Sequence, residues 1–260
     1  MRILSDARPK FSVITVTFNN ASGLSKTLET VLQQTYDNFE WIVVDGKSTD
    51  GTVALLEQLD NKRFKFISEQ DRGIFDAMNK GIKMSSGDYC IFMNAGDCFF
   101  DECVLENVSD LIKDRRPTIV YGDACETDGQ QRWQKPARAP KANFYVMFTH
   151  HQAIFYLRSA LGRGYDLSYR FSSDWALTTR MLNDPNVTTL QYPANVCLFE
   201  RGGVSQGDIH RRQINAEHWR IYIEESKMNR AVAAVLWVAK VGTNSVRRIF
   251  PNLYDALRYS

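Results

Sequence analysis

With 260 residues, 44% of them hydrophobic, the chain can bury the core of one large α/β domain, or of one domain with an appendage. Its 32 basic and 30 acidic side chains nearly cancel, so the net charge of +2 excludes a global field that favours nucleic acid. The five cysteines are odd in number and lack CxxC or zinc spacing, which argues against a disulfide scaffold and is typical of a reducing compartment. Because the sequence shows neither an apolar leader nor an apolar run of roughly 18 residues, we expect a cytoplasmic protein that does not span a membrane.

Strands and helices alternate over the first half of the chain. Apolar runs rich in β-branched residues predict strands, and apolar residues at helical spacing between them predict amphipathic helices. The predicted strands are 11–18, 41–44, 64–67 and 89–93. The predicted helices are 22–34, a helix from 48 or 50 to 59, and 74–82. This alternation predicts a parallel sheet with right-handed crossovers.

A polar segment follows each of these four strands, at residues 17–20, 45–50, 69–72 and 94–97. Because right-handed crossovers place the carboxyl ends of parallel strands at one edge of the sheet, we expect the four segments to meet there. Open α/β sheets bind ligands in the crevice at that edge. The sequence therefore predicts a ligand site built from these segments.

The second half of the chain is less regular. A strand is predicted at 118–122, and residues 123–143 are predicted to be a loop or irregular β structure because they are polar and contain two prolines. A helix is predicted at 174–182 and a strand at 187–192. From residue 208 the composition changes to that of a basic helical segment, with nine basic and four acidic residues between 210 and 260. We call residues 208–260 the C-terminal tail.

Two of the polar segments carry candidate binding residues. Asp45 directly follows a buried strand, where a carboxylate can accept hydrogen bonds from a nucleobase or ribose, or can simply help Ser48 form a turn and helix cap. In the segment 94–97, Asn94 and Asp97 supply oxygens while Gly96 allows close backbone approach. Such a segment can bind a divalent cation together with phosphate oxygens, or it can be a plain β-turn.

Three sequence blocks resemble family 2 glycosyltransferases of the GT-A fold. They are SVITVTFN at 12–19, QTYDNFEWIVVDGKSTDGT at 34–52 and GDYCIFMNAGD at 87–97, in this order and spacing. Between them, SEQDRGIFDAMNKG at 68–81 resembles the subgroup found in bacterial O-antigen, capsule and colanic-acid clusters. The similarity covers roughly residues 11 to 205.

The resemblance implies a GT-A, Rossmann-like fold in which a mostly parallel sheet is flanked by helices, with an acceptor-side region and a helical tail. It implies a glycosyltransferase domain at 1–207, with a nucleotide-binding half at 11–122 and an acceptor half at 123–207. The implied activity is inverting transfer of a sugar from a nucleoside diphosphate to an acceptor hydroxyl, aided by Mg²⁺ or Mn²⁺. No nucleic-acid partner is expected.

Site residues follow from the same resemblance. Asp45 is expected at the base or ribose, Asp71 on the nucleotide side and Asp97 at the metal. The residues expected to bind the nucleotide sugar are Phe18, Asn19, Asp45, Ser48, Asp71, Asn79 and Asn94. The family often has Asp-Asp where this chain has Asp45-Gly46, and Asp-x-Asp-Asp where it has residues 94–97. Asp97 is therefore expected to hold the metal almost alone, or only when diphosphate is present.

The acceptor side is assigned from residues 165–180, which are similar to the family's acceptor block. An inverting transferase needs a base beside the acceptor, and Asp174 at a helix start is the candidate. Ser172, Ser173 or Asp174 could instead only cap this helix. Residues 150–152 resemble the family segment that precedes the acceptor site, so His151 and Gln152 are expected on the acceptor side. Because successive strand residues face opposite ways, at most one of the two histidines is expected to face the cleft, and His151 is the one chosen. A His pair at a strand start can also be purely structural.

The loop that begins at Arg201 and extends to residue 205 is also assigned to the acceptor side. Its backbone amides and the guanidinium of Arg201 could approach the diphosphate leaving group. An ordinary turn would explain the same sequence.

The C-terminal tail contains an apolar segment, 231–241, with Trp237 inside it and Arg230 and Lys240 near its ends. This pattern suits a helix lying in a membrane interface, although it is too short to span one. A helix docked on its own domain or on a second subunit explains the pattern equally well. If the acceptor is a polyprenyl-diphosphate-linked saccharide, as the resemblance suggests, a basic amphipathic tail would bring the site to anionic lipid at the inner face of the cytoplasmic membrane.

Two rival functions remain. The missing family carboxylates favour a non-catalytic subunit that binds sugar nucleotides or acts as a scaffold. A nicotinamide-dependent dehydrogenase is the weaker rival, because no GxGxxG follows the first strand.

Overall fold

A computed structural model of the chain describes residues 8–201 and 210–249, and within these ranges nine strands form one mixed sheet. The strands are β1 Phe11–Thr17, β2 Phe39–Asp45, β3 Phe64–Ser68, β4 Tyr89–Phe92, β5 Cys98–Phe99, β6 Ile119–Thr127, β7 Arg132–Lys135, β8 Ile154–Leu157 and β9 Thr189–Glu200. The α-helices are α1 Ala21–Leu32, α2 Thr52–Glu57, α3 Ile74–Met84, α4 Val104–Ile112, α5 Ser173–Leu182, α6 Arg211–Arg220 and α7 Arg230–Ile249.

The first four strands form the parallel half of the sheet, in the order β3-β2-β1-β4. Register pairs Thr17 with Asp45, and Asp45 with Ser68, so the strands end side by side. The predicted alternation and the convergence of the polar segments at one edge are therefore confirmed.

Both faces of this half are covered, because side chains alternate along each strand. Phe11 and Val13 of β1 belong to one core cluster with α1 and α4, and Ile14 and Val16 belong to another with α3 and α5. Helix α3 lies very close to β1: a Cβ atom on Gly81 would overlap the Ile14 Cγ2 atom. Glycine at this position therefore sets the distance between the helix and the sheet.

At the opposite edge of the sheet, a buried carboxylate ties several strands together. Glu40 accepts hydrogen bonds from Ser12 Oγ at 2.7 Å and from the Ser86 backbone N–H, and its carboxylate lies 2.9 Å from the Lys65 ammonium. Burial alone would raise the pKa of this carboxyl, but these hydrogen bonds outweigh it and lower the pKa from 4.5 to about 2. Glu40 is thus ionised at neutral pH and stabilises the end of the sheet far from the ligand crevice.

The second half of the sheet differs from the sequence-based expectation. Strand β8 is antiparallel to both β4 and β6, whereas β9 is parallel to β6. The segment 123–143, predicted as a loop or irregular β structure, contains the end of β6 and its hairpin partner β7. The strand predicted at 187–192 continues to Glu200. The cause is non-local pairing: β6 and β9 contact each other over most of their length. Local composition cannot reveal this.

The described part of the C-terminal tail packs on helix α5. Tyr222 and Ala233 of the tail join a core cluster with Tyr169 and Trp175 from the acceptor-side region. Docking on its own domain is thus realised for one face of α7. A stripe of valines on the other face is exposed: Val232, Val235 and Val238. In the part of the chain that the structure describes, no helix has the length and apolarity needed to cross a membrane.

Candidate active site

One large cleft lies at the carboxyl edge of the parallel strands. Its volume is about 2130 Å³, whereas a pocket for one small ligand has about 300–1,000 Å³. Its walls come from all four polar segments, from the region before α5, and from the C-terminal tail through His210 and Lys240. The cleft is therefore large enough for two substrates side by side.

Most residues singled out in the sequence line this cleft. They are Phe18, Asp71, Asn94, Asp97, His151, Gln152, Asp174 and Arg201. Four others are not among the residues that line it: Asn19, Asp45, Ser48 and Asn79. Residues 202–205 of the loop that begins at Arg201 lie outside the described residues, as do 208–209 and 250–260 of the tail.

Asp45 and Ser48 organise the loop after β2. Asp45 is fully buried and accepts hydrogen bonds from the Ser48 backbone N–H at 3.0 Å, from the Ser48 hydroxyl and from the Ser68 hydroxyl at 2.6 Å. Asn19 accepts a hydrogen bond from the Thr49 backbone N–H at 2.8 Å, which joins this loop to the end of β1. The ring of Phe18 is 63% exposed at the cleft, where an aromatic face can stack on a base.

Asp71 and Asn79 are positioned differently. Asp71 lines the cleft and accepts a hydrogen bond from the Gly73 backbone N–H at 2.8 Å. The Asn79 side chain makes two hydrogen bonds with the backbone of Tyr165: it donates to the Tyr165 carbonyl at 2.9 Å and accepts from the Tyr165 N–H at 2.8 Å. Asn79 therefore joins α3 to the acceptor-side region, and its predicted contact with the nucleotide sugar stays a prediction.

The segment 94–97 forms a turn in which Gly96 has a φ of +107°, a conformation that favours glycine. Asp97 is buried and accepts a hydrogen bond from Gln152 Nε2 at 2.8 Å. Burial is the main cause that raises the Asp97 pKa to about 7, and the negative charge of Glu200 adds to it. The Asn94 side-chain oxygen is also buried and has no hydrogen-bond partner. The turn thus places a buried carboxylate and an unpaired amide oxygen in the same segment.

Glu200 is a site residue that the sequence did not reveal. It ends β9, its backbone N–H donates a hydrogen bond to the Asp97 carboxylate, and a Cβ on Gly96 would be 3.4 Å from its Oε2. Its carboxylate also pairs with Lys26 at 3.0 Å. Only the pairing of β5 with β9 brings Glu200 beside Asp97, so no local signal could have identified it.

These oxygens fit a divalent cation. Among the described residues no group of three or more His, Cys, Asp or Glu side chains could hold a metal. Hard cations, however, also accept amide and phosphate oxygens, so Asp97, Glu200 and Asn94 can form a partial shell that a diphosphate completes. A cation there would favour the ionised form of Asp97 and occupy the orphaned amide oxygen.

The two histidines both line the cleft, contrary to the expectation that only one faces it, because His151 begins a short 3-10 helix and the strand alternation does not apply. His151 is stacked on Phe92 and bonds to the Tyr165 hydroxyl at 2.6 Å. Burial lowers its pKa to about 3, so the ring is neutral at pH 7. His150 pairs with the fully buried carboxylate of Glu126 at 2.9 Å.

Glu126 is a second site residue that the sequence did not reveal, because it lies in the segment 123–143 that was predicted to be a loop or irregular β structure. Its carboxylate also lies 3.8 Å from the Arg201 guanidinium, which in turn is 4.5 Å from the Trp133 ring centre. Glu126 thus fixes a histidine and an arginine at the same wall of the cleft. Strand β6 supplies Glu126, β7 supplies Trp133, and Arg201 directly follows β9.

Asp174 lies in the first turn of α5 and lines the cleft. Burial is the main cause that raises its pKa to about 6, and the charge of Glu217 adds to it. Ser172, the residue before the helix, makes no side-chain capping bond, and Ser173 Oγ donates to the Asp166 carbonyl at 2.9 Å. A carboxylate with a pKa near 6 is ionised at pH 7 yet basic enough to accept a proton.

The family follows from comparison with known proteins. The profile described as Glycosyl transferase family 2 matches residues 12–182. This chain belongs to glycosyl transferase family 2. A PGL/p-HBAD biosynthesis glycosyltransferase from Mycobacterium bovis is 32% identical to it over 206 residues, which cover 76% of this chain and 80% of that relative.

Two solved structures share the fold of this glycosyltransferase. S. aureus TarS 1-349 in complex with UDP superposes with a TM-score of 0.64 at 18% identity, covering 88% of this chain and 69% of that one. Mannosyltransferase PcManGT from Pyrobaculum calidifontis, in complex with GDP-Man and Mn2+, superposes with a TM-score of 0.63 at 17% identity, covering 97% and 84%. The predicted α/β fold of the GT-A type is thus confirmed.

One departure from the family pattern now has a physical explanation. Where the family often has a second Asp, this glycosyltransferase has Gly46, and a Cβ there would be 2.8 Å from the Asp71 Oδ2 and 3.2 Å from the Phe18 ring. A side chain at 46 would displace both. Glycine therefore lets Asp71 and Phe18 reach the cleft together.

Proposed function

We propose that this glycosyltransferase transfers a sugar, with inversion, from a nucleoside-diphosphate sugar to a hydroxyl of a lipid-linked saccharide in cell-surface polysaccharide biosynthesis. The observation that carries the proposal is the presence of two buried carboxylates with raised pKa values, Asp97 and Asp174, in the wall of one cleft. Paired titratable groups in distinct surroundings mark acid, base and metal roles.

The donor is proposed from the cleft and from the structural neighbours. The solved neighbours hold UDP, UDP-GlcNAc or GDP-Man, all of them nucleoside diphosphates. Phe18 offers an exposed ring for the base, and Asp71 lies in the same wall. We propose that the diphosphate lies against residues 94–97, near Arg201, whose guanidinium can neutralise phosphate charge.

Mg²⁺ or Mn²⁺ is the proposed cofactor. Asp97, Glu200 and Asn94 would hold it together with diphosphate oxygens, and the ion would neutralise charge on the departing diphosphate. The Mn²⁺ bound to PcManGT supports this choice. With a single buried carboxylate and a partly exposed one, the protein alone should bind the ion weakly.

Asp174 is the proposed base. As the acceptor oxygen attacks the anomeric carbon and forms the new C–O bond, the carboxylate takes the hydroxyl proton while the bond to the diphosphate breaks. Attack from the face opposite the leaving group inverts the anomeric configuration. Gln152 and His151 lie in the same wall, where a neutral imidazole and an amide can orient acceptor hydroxyls without competing for the proton.

A lipid-linked acceptor is supported by the tail. The valine stripe of α7 is 51% to 69% exposed, on a helix that begins at Arg230. An exposed apolar face on a basic segment suits contact with anionic lipid. We propose that this face holds the enzyme at the inner surface of the cytoplasmic membrane.

The test replaces Asp174 with Asn. The D174N variant should bind UDP or GDP as the wild type does, but should lose transfer, because an amide cannot accept the proton. Calorimetry with nucleoside diphosphates, with and without Mn²⁺, measures binding. A panel of UDP- and GDP-sugars, with polyprenyl-diphosphate-linked saccharides as acceptors, measures release of nucleoside diphosphate, and NMR of the product tests inversion.

The matched control is D60N, which removes one carboxylate at an exposed residue and should behave as the wild type. Full turnover in D174N would contradict the assignment of the base. Binding of nucleoside diphosphates by the wild type without turnover on any donor would favour the non-catalytic rival.

A further inference from the structure

Glu217 of helix α6 makes an unusual set of contacts with the loop that precedes α5. It is only 4% exposed, and its carboxylate accepts hydrogen bonds from three consecutive backbone N–H groups. The donors are Arg170 at 2.7 Å, Phe171 at 3.0 Å and Ser172 at 3.0 Å. A single side chain of the C-terminal tail thus satisfies the backbone donors directly before the helix that carries Asp174.

One of these contacts satisfies the N–H of Ser172 at the start of α5, and the other two satisfy N–H groups of the loop before it. N–H groups at a helix start lack intrahelical partners, and a side chain at the capping position commonly satisfies one of them. Ser172 occupies that position but makes no capping bond. A charged acceptor supplied from elsewhere makes stronger hydrogen bonds than a neutral one. Glu217 therefore determines the conformation of residues 170–172.

A second contact from α6 holds the same loop. The Arg220 guanidinium donates to the Ser168 carbonyl and to its hydroxyl, both at 3.1 Å, and lies 4.3 Å from the Tyr169 ring centre. Helix α6 thus contacts residues 168 to 172 continuously. The loop reaches Asp174 two residues after Ser172.

Several titratable groups surround Asp174 from the elements packed on α5, and Glu217 is the charged side chain that acts on Asp174 through space. Burial keeps Tyr156 and Tyr165 neutral by raising their pKa values, and lowers the His218 pKa to about 2. The Lys240 ammonium lies 3.9 Å from the Trp175 ring centre, and burial lowers its pKa to about 7. Its titration must therefore be separated from that of Asp174.

We propose that Glu217 is a positioning residue for Asp174: by holding residues 170–172 from helix α6, it orients the proposed base toward the acceptor. This makes the C-terminal tail a structural part of the acceptor site. The inference rests on the proposed function of Asp174 as the base.

The test compares E217Q with the wild type. A glutamine retains one acceptor oxygen but presents an NH₂ group to the backbone donors, so the loop should shift. A misplacement of about 1 Å in a catalytic constellation can lower the rate on the order of 10²-fold. We expect kcat to fall by that order while the Kd for UDP or GDP stays unchanged, because the nucleotide side lies on other elements.

The pH profile separates positioning from general damage. Removing the negative charge of Glu217 makes Asp174 easier to ionise, so the acid limb of kcat/KM should move to lower pH. The profile is measured at saturating Mn²⁺, so that Asp97 stays ionised. K240M should leave the acid limb of kcat/KM at the same pH, which shows that the limb reports the titration of Asp174 and not that of Lys240. E57Q, which removes a carboxylate from an exposed residue of α2, is the matched control.

If E217Q fails to fold, E217D replaces it. The shorter side chain keeps the negative charge but moves it away from the backbone N–H groups of residues 170–172, so kcat should fall while the acid limb of kcat/KM does not move to lower pH. Wild-type kcat and an unshifted limb in E217Q, with D174N inactive, would overturn the inference about Glu217. Turnover retained in D174N, or no acid limb near pH 6 in the wild type, would instead overturn the proposed base.

Discussion

Adding a side chain at position 46, where the family often has a second aspartate, is expected to impair this enzyme. In G46A the added Cβ would lie 2.8 Å from the Asp71 Oδ2, about 0.6 Å inside ordinary van der Waals contact. The obstructed atom is the end of a flexible side chain, and Gly46 itself does not have a positive φ, so Asp71 can rotate away without breaking the fold. We therefore expect a loss in unfolding free energy below about 1 kcal/mol, small compared with overpacking of a rigid core.

Donor binding should be affected much more. A hydrogen bond to a charged group contributes about 1.5–3 kcal/mol, so displacing Asp71 should weaken the Kd for the nucleoside diphosphate by roughly 10- to 100-fold. Calorimetry with UDP and GDP measures this directly. In the double variant G46A/D71A the loss should be smaller than the sum of the two single losses, because both changes act on Asp71. Wild-type affinity in G46A, or additive losses in the double variant, would refute the reasoning.

Three further predictions concern stability, metal and membrane. Because the Glu40 pKa falls from 4.5 to about 2 on folding, the ionised carboxylate stabilises the fold above pH 4.5, and this stabilisation is lost as the pH falls toward 2. E40Q should therefore lower the unfolding free energy at pH 7 by about 2–3 kcal/mol. Urea denaturation should also show that the unfolding free energy of E40Q depends less on pH between 4.5 and 2 than that of the wild type. With the Asp97 pKa near 7, protons compete with the cation for the carboxylate, so calorimetry in the presence of UDP should show tighter Mn²⁺ binding at pH 8 than at pH 6. D97N should show neither the tight Mn²⁺ binding nor its dependence on pH. Replacing Val232, Val235 and Val238 with Ser should reduce cosedimentation with vesicles containing anionic lipid while leaving the melting temperature nearly unchanged, since all three are exposed; unchanged cosedimentation would argue against the membrane contact.

The sequence was most informative where a residue's environment follows from its own neighbours. The apolar runs of β1 to β4 and the helical spacing between them are local patterns, and the polar segments at their ends follow from the handedness of the crossovers. The segment ending in Asp97 was therefore located at the right edge of the sheet. The helix that begins near Asp174 was located in the same way.

Other site features depend on which distant segments pair. Glu126 and Glu200 lie on β6 and β9, whose register is set by contacts between residues far apart in the sequence. His150 lies just before β8, and the antiparallel pairing of β8 with β6 brings it to its partner Glu126. Similarly, the orientation of both histidines depends on a short helix that interrupts the expected strand alternation.

The sequence by itself determined the α/β order, the edge where ligands bind and the family of the enzyme, because periodicity and motif spacing are properties of neighbouring residues. Only the tertiary structure decided that Glu200 lies beside Asp97 and that the C-terminal tail docks beside Asp174, through Glu217 and Lys240. These contacts form when elements separated by 45 residues or more pack together. Hydrophobic packing and hydrogen bonding between such elements are selected in three dimensions, and no local pattern encodes them.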